Sequence, residues 1–209
     1  MNELEAVANI NFETYEYNPK RKSLSLIRVG TCGTLQPSVE VGSFCVSKFA
    51  VGLDNTIKFY EGSAIFLDTP LSIALKAHLN WDDHLGNPYT CACDDKLLDH
   101  LFGDKAYLKG ITLSAPGFYG AQGRASIIQP YAKNINRGLS SFSFEDKLVL
   151  NYEMEAAPIY AFAQLLGHKA VTVCLVLANR YTDQFLPDYK PHMDQLIRKV
   201  INSIKVLKQ

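Results

Sequence analysis

The sequence predicts an α/β fold, a three-layer sandwich with a central mixed, largely parallel β-sheet. Strands and helices alternate along the chain, and the strand at 170–179 (AVTVCLVLAN) is apolar at nearly every position. Strands that are buried on both faces have this composition in parallel sheets covered by helices. The chain closes on an amphipathic helix. Its apolar residues, spaced three and four apart, are Met193, Leu196, Ile197, Val200, Ile201, Ile204 and Leu207.

The remaining elements follow from local patterns. The predicted strands cover residues 24–30, 43–51, 56–60, 106–115, 148–152 and 170–179. Further helices are predicted at 2–8, at 94–102, where two acids suit the positive end of a helix, and after the strand at 148–152, ending at Gly167. Residues 126–146 show no regular pattern. Because ligands of such folds gather at the carboxyl ends of strands, the polar residues found there are the candidates for function.

Length and composition restrict the class of protein. A chain of 209 residues with 47% hydrophobic content can form one domain, 1–209. It has 21 basic and 21 acidic residues, which argues against nucleic acid as a partner. We expect no membrane segment, because no apolar run is long enough, and a cytoplasmic location, because the start does not resemble a secretory signal. The five cysteines are expected to be free thiols, and Cys91-Ala-Cys93 fits no zinc pattern, so no metal is expected.

The first candidate segment is LIRVGTCGTLQP, in which Arg28 interrupts an apolar strand just before Gly30-Thr31-Cys32-Gly33. Two glycines would let the backbone turn so that its N–H groups converge on an anion. Arg28 would add charge and the Thr31 hydroxyl a further donor. The alternative is an ordinary turn in which Arg28 pairs with a structural acid.

The second segment is PGFYGAQGR. The Gln122 amide carries an acceptor beside two donors, and Arg124 carries a rigid fork of donors. Together they match the imide edge of a pyrimidine, while Phe118 or Tyr119 could pack on the ring. A solvated glycine-rich loop is the alternative.

The third segment is the corner where the strand at 148–152 meets the following helix, with Glu153 and Glu155 on either side of Met154. A carboxylate accepts hydrogen bonds only, so it suits the two adjacent hydroxyls of ribose. Alternatively, both acids cap the helix. In the fourth segment, VLANR, the sequence predicts a turn and a surface arginine at Arg180. None of the five histidines lies in the pattern of a hydrolase triad.

In this order, the four segments resemble the nucleoside phosphorylase family, most closely its uridine phosphorylase branch. IRVGTCGTLQPSVEVGSFCVS is similar to the phosphate and ribose segment, GFYGAQGR to the uracil segment, and NYEMEAAPIYAFAQLLGHKAVTVCLVLANR to the Glu-Met-Glu ribose motif and the next strand. The resemblance covers about residues 1–205 and implies the nucleoside phosphorylase/hydrolase-like fold.

The resemblance also implies roles for individual residues. Phosphate would be bound by Arg28, Thr31 and Gly33, where Gly33 lets the chain approach the ligand. The base would lie among Phe118, Gln122, Arg124, Leu177 and Ala178. Ribose would be held by Thr31, Glu153, Met154 and Glu155. The residues expected to be catalytic are Arg28, Thr31, Gln122, Arg124 and Glu155.

The implied reaction is reversible phosphorolysis of uridine to uracil and ribose 1-phosphate, with phosphate as a substrate and no cofactor. Purine-cleaving relatives have Ser-Asp where Ala178-Asn179 stands, which favours a pyrimidine, although EMEAA is similar to the purine enzymes. A purine nucleoside phosphorylase or nucleosidase is therefore one alternative. Another is an inactive, truncated member that binds nucleoside or pairs with a full-length partner, because an upstream phosphate-binding segment of the family is missing. Family members form dimers that build a hexamer, so a homo-oligomer is expected.

Overall fold

The computed structural model describes residues 1–206, so Leu207 of the predicted apolar stripe lies outside the described residues. The helices are α1 (Asn2–Asn9), α2 (Pro70–Leu79), α3 (Asp95–Phe102), α4 (Ile135–Ser141), α5 (Ala156–Leu165) and α6 (Lys190–Val206). The strands are β1 (Ile10–Asn11), β2 (Glu16–Tyr17), β3 (Ser25–Thr34), β4 (Phe44–Gly52), β5 (Tyr89–Ala92), β6 (Tyr107–Ser114), β7 (Ser143–Phe144), β8 (Lys147–Glu153), β9 (Lys169–Asn179) and β10 (Gln184–Phe185).

The central sheet is mixed, with the strand order β10-β9-β3-β8-β6-β4-β5. Its two longest pairings, β3 with β9 and β4 with β6, are parallel, as is β6 with β8. The mixed α/β architecture predicted from the sequence is confirmed. The sequence did not predict α2, β5 or the antiparallel pairing of β4 with β9, through which the sheet curls far enough to close on itself.

Helices cover both faces of the sheet. On one face, the core of α3, α5 and α6 packs on alternate residues of β9, namely Val171, Val173 and Leu175. The α5 residues in this core include Ala156, Ala157, Ala161 and Ala163, whose small side chains let the helix lie close to the strands. On the other face, α2 and α4 pack on Ile111 and Leu113 of β6. Each fully buried aliphatic side chain stabilises the fold by about 1.5–3 kcal/mol.

The predicted elements were largely confirmed, with three corrections. Residues 56–60 are not a strand, because Asn55 adopts a left-handed conformation (φ 62°) that starts a 3₁₀ turn at Thr56–Phe59. The supposedly irregular stretch 126–146 contains α4 and β7. The expected turn at 30–33 is extended strand, since β3 continues to Thr34 and pairs with β9 along that length.

Candidate active site

A cavity of about 600 Å³ opens where β3, β8 and β9 approach their carboxyl ends. It gathers every site residue predicted from the sequence: Arg28, Thr31, Gly33, Phe118, Gln122, Arg124, Glu153, Met154, Glu155, Leu177 and Ala178. It also contains residues that the sequence did not single out as ligand contacts: Cys32, Asn136, Tyr152, Asn179, Arg180, Asp183, Gln184 and Phe185. Segments far apart in the chain therefore meet in one place, because β9 runs parallel beside β3 and the last residues of β8 pair antiparallel with the last residues of β3.

The two carboxylates of the Glu-Met-Glu corner have different environments. Glu153 is buried, and its Oε2 accepts the backbone N–H groups of Glu155 (2.9 Å) and Ala156 (2.8 Å) at the start of α5. Its Oε1 accepts the hydroxyl of Ser114, whose oxygen in turn accepts the N–H of Ala157 (2.8 Å). Glu153 therefore caps α5, as the structural alternative for this corner required.

Glu155 does not cap the helix by its side chain, and about half of that side chain is exposed to the cavity. Its carboxylate accepts a hydrogen bond from Nη2 of Arg28. Arg28 Nη1 lies 3.1 Å from Oε2 of Glu153 and donates to Sγ of Cys174, also at 3.1 Å. The guanidinium thus lies between two carboxylates and the thiol, which fixes it at one end of the cavity.

Ionisation at this end is influenced mainly by burial. Burial raises the pKa of Glu153 above its ordinary value, and it outweighs the opposing effects of the Arg28 charge and the Ser114 hydroxyl. Burial likewise lowers the pKa of Arg180, at the other end, from its ordinary value, with the nearby Arg124 charge acting in the same direction. The site is partly desolvated, and electrostatic interactions there are stronger than in water.

At the other end of the cavity, the Gln122 side chain is almost completely buried and held by Arg180. Arg180 Nη2 donates to the side-chain oxygen of Gln122, and its guanidinium lies over the ring of Tyr152, 5.0 Å from the centroid. Asn136 Nδ2 donates to the backbone oxygen of Gln122 at 3.0 Å. Because Arg180 occupies the amide oxygen, the orientation of the Gln122 amide is fixed.

Arg124 and Phe118 form the outer part of this end. The guanidinium carbon of Arg124 lies 4.3 Å from the centroid of the Phe118 ring, and Phe118 is about half exposed. A planar cation stacked on an aromatic ring keeps its donors directed outward from the ring edge. Thr31, Leu177 and Ala178 are half-buried, and with the exposed Met154 they complete the wall between the two ends.

Two local expectations about the site are wrong. A cradle of converging N–H groups at Gly30–Gly33 does not form, because these residues are part of β3 and pair with β9, with one register shift between Cys32 and Gly33. Arg180 is not a surface arginine, since it is only partly exposed and contacts Gln122 and Tyr152. Its place after the wall residues Leu177 and Ala178 at the end of β9 is the signal that could have identified it.

Asn179, which stands where purine-cleaving relatives carry an acid, is used structurally. Its Nδ2 donates to the backbone oxygens of Gln36 (3.0 Å) and Val39 (2.8 Å), and its Oδ1 accepts the N–H groups of Tyr181 and Thr182. The amide is therefore committed to holding the chain as it leaves β9.

Within residues 1–206, no group of three or more His, Cys, Asp and Glu side chains is arranged to hold a metal ion. No helix in that range is long and apolar enough to span a membrane.

Comparison with known proteins gives consistent matches. The sequence profile of the Phosphorylase superfamily matches residues 10–208. A uridine phosphorylase of Thermococcus kodakarensis is 34% identical over 164 residues, which are 77% of this chain and 50% of that protein. A uridine phosphorylase of Haemophilus influenzae is 29% identical, over 78% of this chain and 57% of that protein.

A solved structure is also similar. The structure of a Trypanosoma brucei nucleoside phosphorylase, described as showing uridine phosphorylase activity, superposes with a TM-score of 0.76 at 23% identity, covering 97% of this chain and 73% of that one. The chain spans about half the length of the curated relatives it matches.

Proposed function

The chain belongs to the phosphorylase superfamily, and from that premise we propose that it catalyses the reversible phosphorolysis of uridine to uracil and ribose 1-phosphate. One observation carries the proposal. The residues suited to phosphate, ribose and uracil come from distant segments, yet all line a single cavity whose volume fits a nucleoside.

The chemistry assigned to each end follows from the groups present. Glu155, the exposed carboxylate, would accept both ribose hydroxyls, while the buried Glu153 holds the start of α5 beneath it. Gln122 keeps its side-chain NH₂ for a carbonyl of the base, because Arg180 already donates to its oxygen. Arg124 would bind the other carbonyl, and Phe118 would lie against the ring.

In the proposed reaction, a phosphate oxygen attacks C1′ as the bond between C1′ and the base nitrogen breaks. The electron pair of that bond passes to the base, which takes up the proton that hydrogen phosphate loses on becoming the phosphate ester. Donors from Gln122 and Arg124 stabilise the negative charge that grows on uracil, and preorganised donors of this kind act strongly in a desolvated site. Arg28 would hold phosphate, with Thr31 adding its hydroxyl, on the side of the sugar where attack occurs. The reaction requires no cofactor.

The test is uracil release from uridine by the purified chain, followed by chromatography with and without inorganic phosphate. We expect release that depends on phosphate and yields ribose 1-phosphate. Release of free ribose without phosphate would instead indicate a nucleosidase, and faster turnover of inosine or adenosine would overturn the assignment of the base. Asp183 makes the purine comparison worthwhile, because this carboxylate also lines the cavity.

An inactive, nucleoside-binding member is the second candidate, and similarity to an inactive uridine phosphorylase B of Schistosoma mansoni, 32% identical over 95 residues, favours it. Calorimetry that shows uridine binding, combined with no turnover in the same preparation, would support it. A single phosphorylase-like domain, a cytoplasmic location and assembly through dimers into a hexamer belong to the main proposal. Sedimentation velocity of the purified chain tests the assembly.

A further inference from the structure

Two glycines of β3, three residues apart, each lie directly beneath an arginine of the cavity. A Cβ placed on Gly30 would come within 2.7 Å of Cζ and both terminal nitrogens of Arg28. A Cβ placed on Gly33 would come within 2.9 Å of Nε of Arg180. Real Cβ atoms are essentially never found this close to other heavy atoms, so neither guanidinium could stay in place above a larger residue.

Backbone conformation does not explain the two glycines. Both belong to β3, and neither has the positive φ that favours glycine, although a register shift in the pairing with β9 falls between Cys32 and Gly33. Alanine could adopt the same backbone, and it normally stabilises a strand relative to glycine. What each position requires is space for the arginine above it.

The contacts around Arg28 show why this space matters. Three atoms of the guanidinium are equally distant from the ideal Cβ of Gly30, so the planar group lies flat over the glycine. In that position it reaches Glu153, Glu155 and Cys174 together. A methyl group on residue 30 would lift the guanidinium away from the buried Glu153 carboxylate.

The contacts around Arg180 have the same form at the other end. Its guanidinium contacts Gly33, the ring of Tyr152 and the Gln122 amide. The three atoms nearest to a Cβ on Gly33 all belong to Arg180, at 2.9, 3.4 and 3.6 Å. Apart from the two residues adjacent to Gly33 in the chain, no other described residue has an atom closer to this Cβ position. Arg180 alone therefore determines whether a side chain fits at residue 33.

We propose that Gly30 and Gly33 are positioning residues: Gly30 holds Arg28 at the phosphate and ribose end, and Gly33 holds Arg180 against Gln122 at the base end. This inference rests on the proposed function. It gives the glycines of β3 a role other than letting the backbone approach a ligand, which was the role expected for Gly33 from the resemblance. The strand supplies two positions without a side chain, and one guanidinium lies over each of them. A side chain at either position is accommodated by movement of an arginine tip, so the fold persists while the site changes.

Alanine substitutions test the two ends separately, with uridine and inorganic phosphate as the probes. Gly30→Ala should raise KM for phosphate or lower kcat, for a combined loss of about 10- to 100-fold in kcat/KM, as expected when a charge-assisted hydrogen bond is lost. Gly33→Ala should raise KM for uridine by a similar factor and change KM for phosphate less, because the displaced Arg180 contacts Gln122 at the base end. Gly120→Ala is the matched control, because a Cβ there meets nothing within 4 Å, and its kinetics should match the wild type.

A double-mutant cycle in urea tests the contact itself and does not depend on turnover. In the wild type, Gly33→Ala displaces Arg180 and should therefore lower the urea concentration at the unfolding midpoint. In an Arg180→Ala background no arginine is displaced, so the preference of strands for alanine should raise the midpoint. The same reversal is expected for Gly30→Ala with Arg28→Ala. Shifts of the same sign in both backgrounds would overturn the inference. If the wild type fails to turn over uridine but the reversal is observed, the proposed function fails and the positioning role stands.

Discussion

Nη2 of Arg28 donates to the carboxylate of Glu155, so the cation proposed for phosphate and the acid proposed for ribose neutralise each other in this structure. The diol and phosphate would each compete for one member of this pair. When the hydroxyls of ribose engage Glu155, Nη2 of Arg28 becomes free for the anion, while Nη1 stays with Glu153 and Cys174. When the anion binds Nη2, Glu155 becomes free for the diol. Binding of one ligand should therefore strengthen binding of the other, since such coupling is reciprocal.

We expect sulfate, an unreactive substitute for phosphate, to tighten uridine binding by at least about fivefold, within the usual range of coupling between sites. Isothermal titration calorimetry of uridine at several sulfate concentrations measures the effect. The Glu155→Gln variant should lose the coupling, because a neutral amide leaves Arg28 free from the start. Dideoxyuridine, which lacks the diol, should also show no coupling, so its affinity should be the same with and without sulfate. Equal uridine affinity with and without sulfate would contradict the exchange of partners.

The two glutamates should separate stability from activity. Glu153→Ala removes the acceptor for two N–H groups of α5 and the buried partner of Arg28. A lost cap and a broken buried ion pair together should cost about 2–4 kcal/mol in the free energy of unfolding. Urea denaturation measures this loss.

Glu155→Gln is the matched variant for that comparison. Its side chain is half exposed and makes no cap, so the free energy of unfolding should change by less than about 0.5 kcal/mol. Turnover should fall by about 10²-fold or more if the carboxylate holds the diol, a loss typical for a positioned charged group. An active Glu155→Gln variant with a lowered melting temperature would show that this carboxylate has only a structural role.

The sequence predicted which residues belong to the site more accurately than it predicted the local backbone conformation of the site. Gln122 and Glu155 lie in the loops that follow β6 and β8, which are parallel neighbours, so grouping these two required only the order of the elements. Arg28 lies inside β3 and lines the same cavity. The pattern at Gly30 and Gly33 looked like a turn because glycine is common in turns. The same two residues are also compatible with a strand, and only the arginine packed above each one shows why glycine is needed.

Arg180 illustrates what a single sequence does not contain. Its contacts with Gln122 and Tyr152 join segments far apart in the chain, and no local pattern encodes them. Similarly, the antiparallel pairing of Cys45 with Cys174 closes the sheet through a long-range contact between β4 and β9. Both features depend on how far the sheet curls, which alternation of strands and helices does not determine.

Arg180 should control binding of the base through Gln122. Arg180→Met keeps much of the side-chain length but removes the donor, so the Gln122 amide can rotate and its side-chain oxygen loses its partner. Uridine affinity should fall by about 10- to 100-fold, the usual cost of a charge-assisted hydrogen bond, while sulfate affinity stays within about twofold. Calorimetry with each ligand separates the two effects. Equal losses for both ligands would indicate a general collapse of the cavity.

The buried Glu153 carboxyl should make a contribution to the free energy of unfolding that decreases as the pH rises. Burial raises its pKa in the folded protein above the ordinary value of 4.5. A group whose pKa is raised on folding contributes stability that is fully present below the unfolded pKa and is lost as pH rises through the folded pKa. Each unit of the shift corresponds to about 1.4 kcal/mol.

The Glu153→Gln variant isolates this contribution, because glutamine resembles the protonated acid, retains an acceptor for the N–H groups of α5 and does not titrate. The free energy of unfolding of the wild type minus that of the variant should therefore fall as pH rises from about 4.5 and level off above the folded pKa. Urea denaturation at half-unit steps between about pH 4 and 8 measures it. Glu155→Gln is the control, since it keeps Glu153 and should follow the wild-type profile. A difference that rises with pH would mean that the pairing of Glu153 with Arg28 outweighs its burial, and that the carboxyl is held in its charged form.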